Sequence, residues 1–241
     1  VRAGDAEGDA RGREDGLWRA WNGRLWRRDQ AVRVQEGDDE LAHVNRFVGH
    51  ASRAYSVAEH SPGCTRFLLL TDRERRGLRP QIECIEHPKH WLDAPLRRSG
   101  CQAKLAMFEE GVLPTDLPAI YIDLDTIVLG DMGRLLRLQR TPQTIAILQS
   151  AIIPFGALGR WLHRNTQGRR YARGNSSVVV FHPAHCHFVA AEFMRLYAQH
   201  PNFEFRPLVA DERFISWVAQ PYMRAIPKSD VVKFPGEYMF S

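Results

Sequence analysis

Short apolar runs and helix-like periodicities alternate along this chain of 241 residues. Runs rich in leucine, β-branched and aromatic side chains, bounded by glycine, proline or charged residues, predict buried strands. These runs fall at 31–35, 66–70, 82–85, 120–122, 143–148 and 178–181. Between the first two, apolar residues recur at steps of three and four from Leu41 to Ala58, which predicts an amphipathic helix. A strand, a helix and a second strand in this order predict a βαβ unit, and therefore an α/β fold with a parallel sheet.

Helical periodicity predicts further elements in the second half of the chain. Their positions are 102–108, 131–138, 186–197, and a last helix with Asp211 as its N-cap. The prolines and the glycine of 87–100 predict a loop. The arginine-rich segment 160–174 is expected to be either a solvated loop or a surface that faces a phosphate group.

The first thirty residues differ from the rest of the chain. Residues 1–16 are rich in glycine, alanine and charge, which predicts disorder. Residues 17–28 hold three tryptophans among arginines, which predicts a short amphipathic helix packed on the body, or alternatively a segment that seeks a membrane surface. We therefore expect a peripheral N-terminal segment, 1–30, and one α/β domain, 31–241.

The composition restricts the class of protein and of partner. Hydrophobic residues make up 44% and charged residues 25%, as in soluble globular proteins. The net charge of +5 suits a ligand that bears phosphates and gives no indication of a nucleic-acid partner. The four cysteines are scattered, which predicts free thiols in a reducing compartment. Because no bilayer-spanning stretch or signal peptide is visible, we expect a cytoplasmic protein.

The candidate chemistry lies at the end of the apolar run 120–122. Asp123 and Asp125 follow it two residues apart, so in an extended chain both carboxylates point the same way. Buried carboxylates are costly unless they are paired or bind a metal, and open α/β sheets bind ligands beyond their strand ends. The pair therefore indicates a functional site, and the alternative is an acidic pair that caps the following helix.

The stretch around this pair, Y-I-D-L-D-T-I-V-L-G-D-M, resembles the Asp-X-Asp segment of nucleotide-sugar glycosyltransferases with the GT-A fold, in particular family-8-like bacterial enzymes. Three further segments resemble motifs of that family in the same order: V-N-R at 44–46, N-S-S at 175–177 and D-E-R-F-I-S at 211–216. The resemblance implies a Rossmann-like, mixed, mostly parallel sheet flanked by helices. It also implies transfer of a sugar, with retention of anomeric configuration, from a nucleotide-sugar, which we expect to be a UDP-sugar. The acceptor stays open between a glycan, a lipid and a small molecule.

The resemblance also implies roles for individual residues. The implied metal ligands, for Mn2+ or Mg2+, are Asp123 and Asp125. The implied contacts to the nucleotide-sugar are Gly37, Asp38, Lys104, Asp123, Asn175 and Ser176. The implied catalytic residues are Asp211 and Glu212. The late H-x-x-G-x-x-K motif, which supplies a metal-binding histidine in family-8 enzymes, has no counterpart here, so a third metal ligand is not identified.

Two alternative functions stay open at this point. One is a catalytically inactive GT-A module that binds a nucleotide. The other is a phosphatase of the haloacid-dehalogenase type, which also begins its chemistry with Asp-X-Asp at a strand end. Thr126 lies one residue too early for that family's motif, and no late Asp-Asp pair is present.

Overall fold

The computed structural model describes residues 17–19, 25–27, 64–73, 78, 80–98, 102–123, 126–150, 152–202 and 206–232. The chain forms two units, Val1–His50 and Ala51–Ser241. Several predictions lie outside the described residues: the disorder of 1–16, the strand at 31–35, the helix at 41–58, and the site residues Gly37, Asp38 and Asp125.

The described part of the first unit is a β-hairpin. Strands β1 (Leu17–Arg19) and β2 (Leu25–Arg27) pair antiparallel. The predicted amphipathic helix at 17–28 is therefore wrong. The sequence repeats Leu-Trp-Arg on either side of Asn22-Gly23. Tryptophan favours strands, and each Leu-Trp-Arg repeat forms one strand of the antiparallel pair.

The described strands of the second unit form two sheets. They are β3 (Phe67–Thr71), β4 (Ile82–Glu86), β5 (Ala119–Ile122), β6 (Ile145–Gln149), β7 (Gly174–Phe181) and β8 (Met223–Ile226). Strands β3 and β4 pair in parallel. The other four form one sheet in the order β5-β7-β6-β8, where β7 is antiparallel to both neighbours and β6 is parallel to β8. The described sheets are therefore mixed, as expected for the predicted α/β fold.

The helices separate these strands along the chain. The α-helices are α1 (Ala94–Arg98), α2 (Gly133–Leu136), α3 (Ala157–Asn165), α4 (Pro183–Cys186), α5 (Phe188–Gln199) and α6 (Asp211–Val218). Three 3₁₀ segments are Lys89–Leu92, Gln102–Phe108 and Arg206–Val209. None of the described helices is both long and apolar enough to cross a membrane.

Two of the predicted loops are wrong. The segment 87–100 contains a 3₁₀ turn and helix α1, because its prolines lie at helix starts, where the missing N–H is tolerated, and Trp91 and Leu96 are fully buried. The segment 160–174 begins inside helix α3, which has one buried face, so only its second half is irregular.

The core lies on both faces of the four-stranded sheet. On one face Val179 and Ile147 join a cluster with the aromatic residues of α5, α6 and the segment 102–108. On the other face Val178 and Val180 pack with Leu135 of α2. Strands covered on both faces read as continuous apolar runs, which explains why β6 and β7 were visible in the sequence.

Three of the four cysteines lie among the described residues. Cys84 and Cys186 are free thiols, as predicted for the cysteines of this chain. Cys101 lies outside the described residues. Burial raises the pKa of the Cys186 thiol to about 11, so this cysteine acts as a small apolar core residue.

Candidate functional site

Most of the predicted site residues lie at one end of the four-stranded sheet. Strand β5 ends opposite the middle of β7, because Ile122 pairs with Val178 in the antiparallel register. The ladder continues one residue further, since the Asp123 N–H donates to the carbonyl of Ser177 at 2.8 Å. The start of β7 also pairs with the end of β6. This end of the sheet is therefore formed by the residues that follow β5 and β6 and by the first residues of β7.

Lys104 lies at the centre of the site. Its ammonium Nζ donates to Asp123 Oδ1 at 2.7 Å and to Ser176 Oγ at 3.1 Å, and it lies 3.4 Å from Asp211 Oδ2. The side chain is only 8% exposed. The neighbours Leu105 to Phe108 are buried in the core and hold the 3₁₀ segment in place. One buried cation is therefore shared by two carboxylates from different elements.

Asp211 belongs to this network and does not cap its helix. Ala210 is the N-cap residue of α6, and no side chain caps that end. The Asp211 carboxylate instead accepts a hydrogen bond from Ser176 Oγ at 2.5 Å and faces Lys104. The predicted N-cap role is therefore wrong. The reason is that the Lys104 ammonium group attracts the carboxylate more strongly than a backbone N–H would, and the Ser176 hydroxyl adds a hydrogen bond. The position of Asp211 in the first turn is still favourable for the helix dipole.

A second set of contacts ties α6 to the start of β7. Asn175 Nδ2 donates to Glu212 Oε2 at 3.1 Å, and Asn175 Oδ1 accepts from the Ser177 N–H at 3.1 Å. Ser216 Oγ accepts from the Gly174 N–H at 2.9 Å and donates to the Glu212 carbonyl at 2.7 Å. The orientation of Glu212 is thus fixed from both its side chain and its backbone.

Two contributors were missed in the sequence. Tyr121 was counted only as a core residue, yet its hydroxyl donates to Asp123 Oδ1 at 3.0 Å and Lys104 Nζ lies 4.7 Å from its ring centroid. The available signal was strand alternation, because Tyr121 and Asp123 are two residues apart. Ser216 ends the segment D-E-R-F-I-S that resembles a family motif, but its link to Gly174 depends on the tertiary structure.

Asp123 is the described residue that could hold a metal. Its side chain is 29% exposed, and Oδ2 makes no hydrogen bond with any described residue. A carboxylate oxygen of this kind fits Mn2+ or Mg2+, which prefer hard oxygen donors. Within the described residues no group of three histidine, cysteine, aspartate or glutamate side chains is arranged for a metal ion. The second predicted ligand, Asp125, lies outside the described residues.

An open depression lies at the same end of the sheet. It has a volume of about 530 Å³ and is lined by Gln149, Ser150, Ile152 and the residues 225–228. These residues follow the ends of the parallel strands β6 and β8. The volume is in the usual range of small-molecule pockets, and the position beyond the strand ends is where open α/β sheets bind ligands.

The fold was compared with known proteins. It is similar to the bifunctional glycosyltransferase WbbM, with a TM-score of 0.53, 14% identity, and coverage of 76% of this chain and 37% of that chain. It is also similar to the galactosyltransferase LgtC in complex with donor and acceptor sugar analogs, with a TM-score of 0.54, 14% identity, and coverage of 81% and 74%. An active-site mutant of LgtC gives a TM-score of 0.55 at 16% identity. No family model and no curated protein matches the chain.

These similarities establish the fold as the GT-A fold of glycosyltransferases, as predicted. They give no support to the phosphatase alternative, which presupposes a different fold. The chain spans well under half of the WbbM chain. The family-8-like subgroup and the roles of the individual site residues stay predictions.

Proposed function

We propose that this protein is a glycosyltransferase that transfers a sugar from a nucleotide-sugar, in the simplest case a UDP-sugar, to a hydroxyl of an acceptor. The observation that carries the proposal is the shared network of Lys104, Asp123, Ser176 and Asp211. This network lies at the end of the sheet, beyond the carboxyl end of β5, which is where open α/β sheets bind ligands. The LgtC structure that has this fold is a complex with donor and acceptor sugar analogs, which supports a sugar donor and a sugar acceptor here.

In this proposal Asp123 and Asp125 hold Mn2+ or Mg2+. When bound, the metal supplies positive charge to the departing diphosphate. Lys104 fixes the Asp123 carboxylate by its 2.7 Å contact, and its own charge adds to the favourable potential for phosphate oxygens. The carboxylates of Asp211 and Glu212 accept hydrogen bonds from sugar hydroxyls and so orient the donor toward the acceptor.

The assignment of Asp211 and Glu212 to the sugar follows from their support. Each carboxylate is already held by one neutral donor, Ser176 for Asp211 and Asn175 for Glu212. Each retains acceptor capacity, because an ionised carboxylate has about four lone-pair positions. Side chains fixed in this way can meet a sugar hydroxyl without first reorganising.

Donor hydrolysis tests the proposal. The full chain is incubated with a panel of UDP-hexoses, with and without Mn2+, and released UDP is measured. We expect metal-dependent release by the wild type and a loss of about 100-fold in Asp211→Asn, as for removal of a catalytic carboxylate. Glu192→Gln changes a partly exposed carboxylate of α5 that pairs with Arg195, away from the site, and serves as the matched control.

The same panel separates the alternatives. UDP binding without turnover of any donor would favour the inactive nucleotide-binding module. Release of phosphate from a generic phosphoester, without UDP release, would favour a phosphatase. Neither result is compatible with the proposed transferase.

A further inference from the structure

Helix α3 and the turn after it lie in a strongly basic part of the chain. Between Asp131 and Glu192 there is no acidic residue, while there are eight arginines. Four of these are exposed on α3 or the following turn: Arg160, Arg164, Arg169 and Arg170. The ion pairs between described residues involve other cations. This surface therefore carries positive charge that no described acidic side chain neutralises.

The inner face of α3 fixes the orientation of the helix. Gly159 is buried so closely against the Pro154 carbonyl that a Cβ would lie 2.7 Å from that oxygen. The His163 ring lies 6.2 Å from the Trp217 ring of α6. The turn after the helix is closed by the Gly168 N–H, which donates to the His163 carbonyl at 2.8 Å. The opposite face of α3 is therefore held outward.

The outward face combines large apolar side chains with arginines. Leu158 and Trp161 are three residues apart and are 52% and 60% exposed. Arg160 and Arg164 are four residues apart and exposed. Residues at these spacings are neighbours on a helix surface. Since a tryptophan at the centre of an exposed face is unusual without a partner, this face is a candidate docking surface.

An open depression lies beside this face. It has a volume of about 450 Å³ and is lined by Asn165, Thr166, Gln167, Arg169 and Arg170. The Arg170 N–H donates to Thr166 Oγ1 at 2.9 Å, which ties this part of the turn to the end of α3. The guanidinium groups of Arg169 and Arg170 are suited to bind phosphate oxygens.

We propose that the outward face of α3 docks on an anionic lipid bilayer. Leu158 and Trp161 enter the headgroup region, and the four arginines meet lipid phosphates. Aromatic and aliphatic side chains beside arginines are the pattern of interfacial helices, and tryptophan prefers the membrane–water boundary. A free phosphate or a soluble polyanion would meet the arginines but would leave Leu158 and Trp161 in water.

Vesicle flotation of the full chain tests this inference. We expect binding to vesicles of phosphatidylcholine mixed with phosphatidylglycerol, and little binding to phosphatidylcholine alone. Arg160→Gln/Arg164→Gln should lower the partition coefficient about 30-fold, since each arginine near an anionic surface contributes about fivefold. Trp161→Ala should lower it about tenfold through lost apolar burial.

The matched control makes the same charge change elsewhere. Arg134→Gln/Arg137→Gln removes two exposed arginines from the same acid-free stretch and should leave binding within about fivefold of wild type. Each variant is checked for an unchanged thermal unfolding midpoint before flotation. Inorganic phosphate at constant ionic strength should not release the protein, because it cannot replace the apolar contact.

Three results would overturn the inference. One is equal binding to neutral and anionic vesicles. Another is an equal loss in the two double-arginine variants, which would reduce the effect to net charge. The third is unchanged binding in both α3 variants, which would direct attention to another segment, such as the tryptophan-rich residues 17–28.

Discussion

Replacing Lys104 with methionine tests the buried network most sharply. Methionine keeps a long unbranched side chain and removes the ammonium group. The substitution leaves the Asp211 carboxylate with one partner among the described residues, the hydroxyl of Ser176. The Asp211 side chain is only 9% exposed, so water can replace the lost cation only in part. Asp123 is 29% exposed and keeps its hydrogen bond from Tyr121.

The magnitude follows from this asymmetry. Removing one partner of a buried ion pair costs about 3–5 kcal/mol, because the other charge is left uncompensated. Since Asp123 retains a donor and some water, we expect a loss at the lower end, about 3 kcal/mol in the free energy of unfolding. Native proteins are stable by only about 5–15 kcal/mol, so the loss is easily measured.

The assay is urea unfolding of a double-mutant cycle. Lys104→Met, Asp211→Asn and the double variant are compared with wild type. The double variant buries no uncompensated charge at this contact. Its loss in the free energy of unfolding should therefore be smaller than the sum of the two single losses by about 2 kcal/mol. Lys89→Met, at an exposed lysine, should change stability by less than about 0.5 kcal/mol. A Lys104→Met loss below about 1 kcal/mol, with no coupling to Asp211→Asn, would refute the reasoning.

Three further predictions concern the body of the fold. Gly168 has φ +77° and lies against the Trp217 indole, so Gly168→Ala should lower stability by about 1–3 kcal/mol and depress the thermal midpoint, whereas Gly130→Ala, with open space around its Cα, should not. Burial raises the Cys186 pKa from 9.0 to about 11, so the unfolded chain releases this proton at a lower pH than the folded chain does. The free energy of unfolding should therefore fall as the pH rises above 9.0, and this decrease should be smaller in Cys186→Ala. Burial lowers the pKa of His163 below 6.5, so the unfolded chain binds this proton first, and stability should be lost as the pH falls below 6.5; urea midpoints of wild type and His163→Gln that decline equally between neutral pH and pH 5 would contradict this.

The strands were the most predictable part of the fold. Strands β5, β6 and β7 are continuous apolar runs because both faces of the sheet are covered, and such runs are visible without knowledge of the tertiary structure. Strand β8 was missed, because its four residues, M-R-A-I, give too short a pattern. Helix α3 was missed because its buried face consists of Gly159 and partly buried Leu162 and His163, which is a weak apolar signal.

Two errors came from local patterns that have more than one structural meaning. The tryptophans among arginines in 17–28 predict an amphipathic helix, yet tryptophan also favours strands, and the described residues 17–19 and 25–27 pair as strands. Pro88 and Pro95 predict a loop, yet proline also begins helices, and both lie at helix starts.

The sequence singled out individual candidate residues but not the network that they form. The described members that the sequence singled out do lie together: Lys104, Asp123, Asn175, Ser176, Asp211 and Glu212. The sequence could not show that one lysine is shared by two carboxylates, because these residues are up to 107 positions apart. It also assigned Asp211 to a helix cap, since aspartate near a helix start fits that role as well as it fits a site.

Binding of UDP by titration calorimetry, with and without Mn2+, tests the central claim most directly. The comparison uses the wild type, Asp123→Asn, and Asp116→Asn as a control at an exposed aspartate. We predict that UDP binds the wild type and the control only when Mn2+ is present, and that Asp123→Asn abolishes this binding. UDP binding that is equal with and without Mn2+, or that is unchanged in Asp123→Asn, would contradict a metal–diphosphate site at the end of β5.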